Sequence, residues 1–272
     1  MTVVARADLE TLLRTRKFDR TLLDTGAPRP SATAETGLAW LDAQLGGGFP
    51  RGETSEIAGP RSSGRTGLLH AALAAATGRA EAVAIVDPLD RFDPVSAMSG
   101  GVQLEWLLWV RGPALSPGEL ARRARSDAHD LLGRALTSAI KASDLILQAG
   151  GFGLVVLDLA DAPRHAFARM PFTTWLRLQR SLEGRNTVFL IVTREPVTRS
   201  AGGVSLRLAC AAPRWQGKSD RARLFAGFDM DVHVATAHKG ARGQVPGPRA
   251  NTGVRGQVSG LSQAPGISRA RL

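Results

Sequence analysis

The 272-residue chain contains no tyrosine and a single cysteine, and it has no apolar run long enough to cross a membrane. The lone Cys210 excludes an intrachain disulfide, and no group of cysteine and histidine residues has the spacing of a zinc site. The first 24 residues contain acidic and basic residues throughout, which predicts that they are not a signal peptide. We therefore expect a cytoplasmic protein of a reducing compartment, without a membrane partner.

Basic residues are in clear excess in this chain. The 35 lysines and arginines outnumber the 24 aspartates and glutamates, which gives a formal net charge of +11. Such a charge favours polyanionic partners such as nucleic acid over acidic small ligands. Alanine, glycine and arginine are all abundant, so a general bias of composition is the alternative explanation. The charge by itself identifies no target.

The composition divides the chain into three parts, at residues 1–30, 31–245 and 246–272. In the first part, leucines recur at helical spacing with arginines and lysines between them, which predicts a basic amphipathic helix followed by a linker. Such a helix could pack on a neighbouring subunit, contact DNA or cap its own domain. The last part is rich in Pro, Gly, Ser, Gln and Arg without periodic apolar residues, and we expect a disordered basic tail.

The central part alternates short apolar strands with helices. Strands are predicted before the loop at residue 59 and at residues 82–87, 107–110, 154–158 and 187–192, with helices at residues 66–77, 116–148 and 173–182. This order predicts an α/β fold, with a mostly parallel sheet sandwiched by helices. Ligands of such sheets bind beyond the carboxyl ends of the strands, and the strands that end in Asp87 and Asp158 place an acid there.

The segment between the first of these strands and its helix has the spacing of a phosphate-binding P-loop, with Arg65 in place of the lysine. Arginine keeps the charge but presents a planar fork instead of a compact ammonium. Magnesium would be held by the hydroxyl of Thr66 and the carboxylate of Asp158. The nucleotide-binding candidates are Gly59, Pro60, Arg61, Ser62, Ser63, Gly64, Arg65, Thr66, Gly67 and Asp158.

Several ordered segments between about Thr36 and Val245 resemble the RecA family of recombinases. The matching segments are residues 36–52, the loop 59–66, Asp87 with Asp93-Pro94, the strand 154–158 and the glycines of 201–203. Matches in this order are specific, whereas the arginine form of the loop alone would be a weak signal. The resemblance implies a RecA-like P-loop NTPase core, with ATP and Mg²⁺ as ligands. Among such proteins, the chain looks most similar to RecA-related accessory proteins of the ImuA type.

Departures from the family pattern concern catalysis. The resemblance implies a water-positioning glutamate where this chain has Leu89, and an adenine-stacking aromatic residue where it has Ser96. We therefore expect no efficient hydrolysis, since both the acid and the P-loop lysine are missing. Asp87 and Asp90 are the candidates for a substitute acid. Nucleotide binding stays open, the alternative being that the loop survives as a structural turn.

The resemblance implies a role in DNA repair and the SOS response, accessory to recombination or translesion synthesis. Its implied partners are single-stranded DNA, a second copy of the chain, and RecA or an ImuB-like polymerase subunit. The candidate DNA contacts are Arg194, Arg199, Gly202 and Gly203, because glycines let backbone N–H groups approach phosphates that arginines neutralise; an ordinary surface loop is the alternative. Two other functions stay open: an active DNA-dependent ATPase that forms filaments, and a scaffold that binds neither nucleotide nor DNA.

Overall fold

A twisted sheet flanked by helices forms the centre of the molecule. The computed structural model describes residues 33–113, 128–163, 171–197, 202–217, 223–236 and 252–259, so the predicted helix within residues 1–30 lies outside the described part. The strands are β1 (Thr33–Ala34), β2 (Phe49–Pro50), β3 (Thr54–Ala58), β4 (Val83–Asp87), β5 (Leu107–Arg111), β6 (Leu154–Asp158), β7 (Val188–Thr193), β8 (Gly202–Gln216), β9 (Leu224–Thr236) and β10 (Thr252–Ser259).

The described helices flank these strands. They are α1 (Ala39–Leu45), α2 (Arg65–Gly78), α3 (Pro94–Ser99), α4 (Ala128–Ala149) and α5 (Phe172–Leu182), with a 3₁₀ turn at Leu104–Trp106. Helix α2 begins after Gly64, whose φ of 92° lies in the left-handed region that glycine adopts without strain. Among the described helices, none is long and apolar enough to cross a membrane.

The strand order confirms the predicted α/β class. The main sheet runs β10-β9-β8-β3-β7-β6-β4-β5, while β1 and β2 form a separate antiparallel pair. Neighbours from β8 to β5 are parallel, whereas β9 pairs antiparallel with both β8 and β10. The carboxyl ends of β3, β4, β6 and β7 therefore meet at one edge of the sheet.

Two apolar clusters cover the two faces of this sheet. Alternate strand residues point to opposite faces, so that Ile85 packs with α2 on one face while its neighbour Val86 packs with α4 and α5 on the other. Both residues are almost completely buried, at 0% and 1% exposure. Strands buried on both faces are continuous apolar runs in sequence, which is why periodicity located them within one or two residues.

The C-terminal region corrects one prediction. Residues 246–272 were expected to be disordered, but Thr252–Ser259 form β10, which pairs antiparallel with β9 from Val234 to Gly227. The prediction rested on the lack of apolar residues, whereas a strand that adds to an open sheet edge is held by backbone hydrogen bonds, which composition does not report. The other residues of this tail lie outside the described part.

Candidate functional site

The loop between β3 and α2 follows a tightly constrained path. The Gly59 amide donates to the carbonyl oxygen of Thr193 at 3.2 Å. A Cβ at Gly59 would lie 2.6 Å from Ser63 Oγ and 2.8 Å from the carbonyl oxygen of Leu208, so no side chain fits there. Ser62, with φ of 61°, and Gly64 both adopt left-handed conformations, which turn the chain into the first turn of α2. Positive helix-dipole charge and uncapped backbone N–H groups suit this loop to an anion.

Arg65 links three elements at the carboxyl edge of the sheet. Its side chain is buried, and Nη1 donates to the carbonyl oxygens of Ala160 at 3.1 Å and Thr193 at 2.9 Å. Burial lowers the pKa of Arg65, and the carboxylates of Asp158 and Asp161 partly oppose that shift. The guanidinium therefore bonds the start of α2 to the segment after β6 and to the end of β7. The spacing of P-loop residues in the sequence does not predict these hydrogen bonds of Arg65.

Asp158 ends β6 beside this cross-link. Its Oδ1 accepts from the Ala160 amide at 3.0 Å. Burial raises the pKa of Asp158 to about 6, and the nearby Asp87 and Asp161 add to the rise, while the Ala160 amide and Arg65 oppose it. At neutral pH the carboxylate is mostly ionised. Together with the exposed hydroxyl of Thr66, it provides the hard oxygen ligands that Mg²⁺ prefers.

A cavity of about 370 Å³ lies over the loop and the start of α2. It is lined by Arg61, Ser62, Gly64, Arg65, Thr66, Gly67, Leu69, His70, Arg91, Phe92, Asp93, Ser96, Asp158, Ala160, Asp161 and Val192. Asp161 forms ion pairs with two arginines that line the cavity. Its oxygens lie 3.1 Å from Arg61 Nη2 and 3.9 Å from Arg91 Nε. Ser96, the expected position of the adenine-stacking aromatic, also lines the cavity and donates its hydroxyl to Asp93. The cavity therefore brings together most of the predicted nucleotide-binding residues.

The two candidate catalytic acids are not among the described residues that line this cavity. Asp87 is 1% exposed, and its Oδ2 accepts from the Phe92 amide at 2.7 Å. Asp90 is bonded through both oxygens to Arg111, each at 2.8 Å, and these bonds lower its pKa. Asp90 therefore serves to hold an arginine at the surface rather than to reach a ligand in the cavity.

Leu89 occupies the position where the family resemblance implies a glutamate. Its side chain is 2% exposed and belongs to the apolar cluster that packs against α4 and α5. Helix α2 lies against the other cluster, on the opposite face of the sheet. The chain thus directs this position into the core, away from the cavity.

The segment after β7 is tied to a buried carboxylate that the sequence did not single out. Glu56, in the middle of β3, is 1% exposed and accepts from the Val197 amide at 2.7 Å and from Thr193 Oγ1 at 3.3 Å. The signal in the sequence was an acid within a predicted strand, since a charge buried in a sheet requires hydrogen-bonding partners. Glu56 therefore fixes the first residues of the segment that was predicted to contact DNA.

Two of the candidate DNA-binding residues, Arg194 and Gly202, lie near opposite ends of the neighbouring strand β3. Arg194 is exposed and follows Thr193, which pairs with Ala58, whereas Gly202 pairs with Thr54 at the start of β3. These positions are about 13 Å apart along the strand. Gly203 also has a packing role, because a Cβ there would lie 2.3 Å from the carbonyl oxygen of Thr54. Arg199 lies outside the described residues.

Comparisons with known proteins agree with this geometry. The RecA N-terminal domain family matches residues 23–121, which include β3, the loop, α2, β4 and β5. Over these residues the chain is similar to the RecA-like recombinase family. It is 43% identical over 105 residues to Protein RecA of a strain of Prochlorococcus marinus, and 44% identical over 105 residues to Protein RecA of Synechococcus sp. (strain CC9605).

These matches cover only part of each RecA-like relative. In both cases the alignment spans 37% of this chain and 27% of the relative, so the chain matches about a quarter of the relative's length. Among solved structures, the RadB recombinase is similar with a TM-score of 0.50 and 18% identity, over 83% of this chain and 94% of that one. This second likeness supports the fold and extends it beyond the segment matched in sequence.

Proposed function

We propose that this chain is a DNA-repair protein that binds single-stranded DNA and, weakly, Mg-nucleotide, and that it hydrolyses ATP inefficiently. The observation that carries the proposal is the burial of Leu89 in the core, at the position where the family resemblance implies the water-positioning acid. A leucine side chain at that position cannot accept a proton or orient a water molecule. Sequence similarity to RecA proteins supports a role in DNA repair and recombination.

The proposed ligand is ATP with Mg²⁺. Its phosphates would lie along the loop from Gly59 to Gly64 and at the start of α2, while Thr66 and Asp158 would hold the metal ion. Bound Mg²⁺ would neutralise part of the phosphate charge. Weak affinity is expected, because Arg65 already bonds to two carbonyl oxygens and Ser96 offers no ring for the adenine.

The proposed biological role is that of an accessory protein in the SOS response, in recombination or translesion synthesis. The partners would be RecA or an ImuB-like polymerase subunit, with assembly into homo-oligomers as a further proposal. The excess of basic residues supports contact with DNA, and Arg194, Arg199, Gly202 and Gly203 are the proposed contacts after β7. A cytoplasmic location is proposed with this role.

The test of the nucleotide site is a pair of measurements on the purified chain. Calorimetry with Mg-ATP should give weak binding that Thr66→Ala reduces, and steady-state turnover should stay at background with and without single-stranded DNA. Ser99→Ala, at the exposed end of α3, is a matched control for loss of a hydroxyl. DNA-stimulated turnover that Arg65→Ala abolishes would overturn the proposal in favour of an active ATPase.

The test of DNA binding is separate. Affinity for an oligo-dT strand should fall steeply with rising salt, because counterions are released from the phosphates. Arg194→Ala should lower the slope of that dependence by about one ion. Absence of any affinity at low salt, together with absence of nucleotide binding, would instead support a scaffold.

A further inference from the structure

The β8–β9 hairpin carries exposed apolar side chains at its end. Trp215 is 53% exposed and Leu224 is 72% exposed, and they belong to the last two residue pairs of the hairpin, Trp215 with Phe225 and Gln216 with Leu224. All five tryptophans of the chain lie in the described part, and Trp215 alone among them is exposed. Trp175, in contrast, is only 6% exposed within the core. A large ring with about half of its surface exposed at such a position indicates a contact surface.

The hairpin end projects past the edge of the sheet that holds the candidate site. Strand β3 ends at Ala58, opposite Arg207 of β8, but β8 continues from Leu208 to Gln216, which corresponds to about 30 Å of extended chain. The carbonyl oxygen of Leu208 lies against Gly59 of the loop. The part of the hairpin that extends past β3 therefore begins beside the loop and places Trp215 well beyond it. Arg194 lies at this same carboxyl edge of the sheet.

The charge of the hairpin favours a polyanion. Residues 214–225 contain four basic residues and one acidic residue in the sequence. Arg223, in the described part of the hairpin, is exposed and directly precedes Leu224. A cationic side chain next to an exposed indole is the combination that binds single-stranded nucleic acid, since the ring stacks on a base while the cation neutralises a phosphate.

The small apolar area argues against a protein partner. A stable protein interface buries about 800 Å² on each side, around a continuous apolar centre. Among the described side chains at the hairpin end, Trp215 and Leu224 are the exposed apolar ones, and they provide much less than that. Stacking on a nucleobase, in contrast, requires only one exposed ring.

We propose that Trp215 stacks on a base of single-stranded DNA and that Arg223 contacts the adjacent phosphate backbone. This contact rests on the proposed DNA-binding function and adds to it a second contact, distinct from the segment after β7. Because every base has a π face, the contact is tolerant of sequence. It positions a DNA strand beyond the carboxyl edge of the sheet.

The experiment is a fluorescence titration of the full chain with oligo-dT at low salt, using the wild type, Trp215→Ala, Trp215→Phe and Trp40→Phe. Stacking should quench the wild-type emission, and both Trp215 variants should lose that quenching. Trp40 is half-buried and packs against the core, so Trp40→Phe should keep it. By fluorescence anisotropy of labelled DNA, Trp215→Ala should weaken binding about 5- to 100-fold, while Trp215→Phe should retain most of the affinity.

The salt dependence separates the two proposed contacts at the hairpin. Arg223→Ala should lower the salt slope by about one ion, and Trp215→Ala should leave the slope unchanged while lowering affinity at every salt concentration. Circular dichroism of each variant checks that the fold is intact.

Three results would overturn the proposal. If the wild type binds DNA and Trp215→Ala binds it equally well, the hairpin contact is wrong while the DNA-binding function stands. If Trp215→Ala changes the sedimentation of the protein without DNA, the hairpin end is a protein interface. If the wild type binds no DNA, both the hairpin contact and the proposed DNA-binding function fail.

Discussion

The loop after β3 and the segment after β4 lie at the same edge of the sheet, but they differ in how closely they match a nucleotide-hydrolysing site. The loop from Gly59 to Gly64 retains the backbone path of a phosphate-binding loop, with left-handed residues and a glycine that admits no side chain. The segment after β4 retains the strand and Asp87 but directs Leu89 into the core. The loop path is fixed by contacts with β7 and β8, so its glycine is needed for folding whether or not a nucleotide binds. Leu89 packs in the apolar core instead, so the proposed lack of efficient hydrolysis is compatible with an intact fold.

The largest expected effect comes from placing a glutamate at position 89. Leu89→Glu would bury a carboxylate among apolar side chains, and we expect a loss of about 3–5 kcal/mol in the free energy of unfolding. Urea denaturation measures this, with Leu131→Glu as the control because Leu131 is 40% exposed. The double variant Arg65→Lys, Leu89→Glu should not recover full activity. If it folds stably and hydrolyses ATP at full rate, position 89 can hold a catalytic acid and the contrast between the loop and the segment after β4 is wrong.

Gly59→Ala tests whether the loop path is required for folding. Its Cβ would meet Ser63 Oγ at 2.6 Å and the carbonyl oxygen of Leu208 at 2.8 Å, so we expect a loss of about 2–3 kcal/mol. The control is Gly133→Ala in α4, where a Cβ meets nothing within 4 Å and alanine should stabilise the helix by about 0.5–1 kcal/mol. Equal unfolding midpoints for the two variants would show that the loop can relax freely.

Arg65→Met tests the cross-link between α2, β6 and β7. The variant leaves the Ala160 and Thr193 carbonyl oxygens without the guanidinium, which should cost about 1–3 kcal/mol. Arg61→Met is the matched control, because Arg61 is exposed and its ion pair with Asp161 should contribute only about 0–1 kcal/mol. A larger loss for Arg61→Met than for Arg65→Met would assign Arg65 a functional rather than a structural role.

The smallest effect concerns the pH dependence of stability. Burial raises the pKa of Asp158 from 3.8 in the unfolded chain to about 6 in the folded chain, so the folded state binds this proton more tightly. The free energy of unfolding should therefore fall as pH rises from about 4 to 6, and stay lower above that range. Asp158→Asn removes this term and should be more stable than the wild type at pH 7.5, with a smaller difference at pH 4. A difference that is constant between the two pH values would contradict the raised pKa.

The sequence predicted the elements that depend on local pattern. Strands such as Leu154–Asp158 are continuous apolar runs, and the P-loop spacing placed Gly59, Gly64 and Thr66 at one edge. The direction of the Arg65 side chain was not predictable, because it depends on carbonyl groups about 95 and 128 residues away in the chain. Glu56 was missed for the same reason, since its partners lie in β7 and the segment that follows it.

The antiparallel part of the sheet was also beyond the reach of sequence patterns. Apolar residues alternate along the sequence from Val204 to Cys210, but this pattern does not show that β8 runs from Gly202 to Gln216 and forms a long hairpin. Bulges between Cys210 and Ala212 and between Arg214 and Trp215 shift the alternation within the strand. Only the pairing of β8 with β9 shows that Trp215 lies at the exposed end of the hairpin.

The addition of β10 to the edge of β9 has a consequence for how the chain can be shortened. A protein cut before Thr252 would leave the backbone groups of β9 from Gly227 to Val234 open, and open edges of this kind recruit strands from other molecules. Such a truncated chain would aggregate, and a loss of DNA affinity in it would say nothing about the charge of the tail. A cut after Ser259 keeps the edge closed and removes two of the arginines, so it is the shortened form in which the contribution of the terminal charges can be weighed.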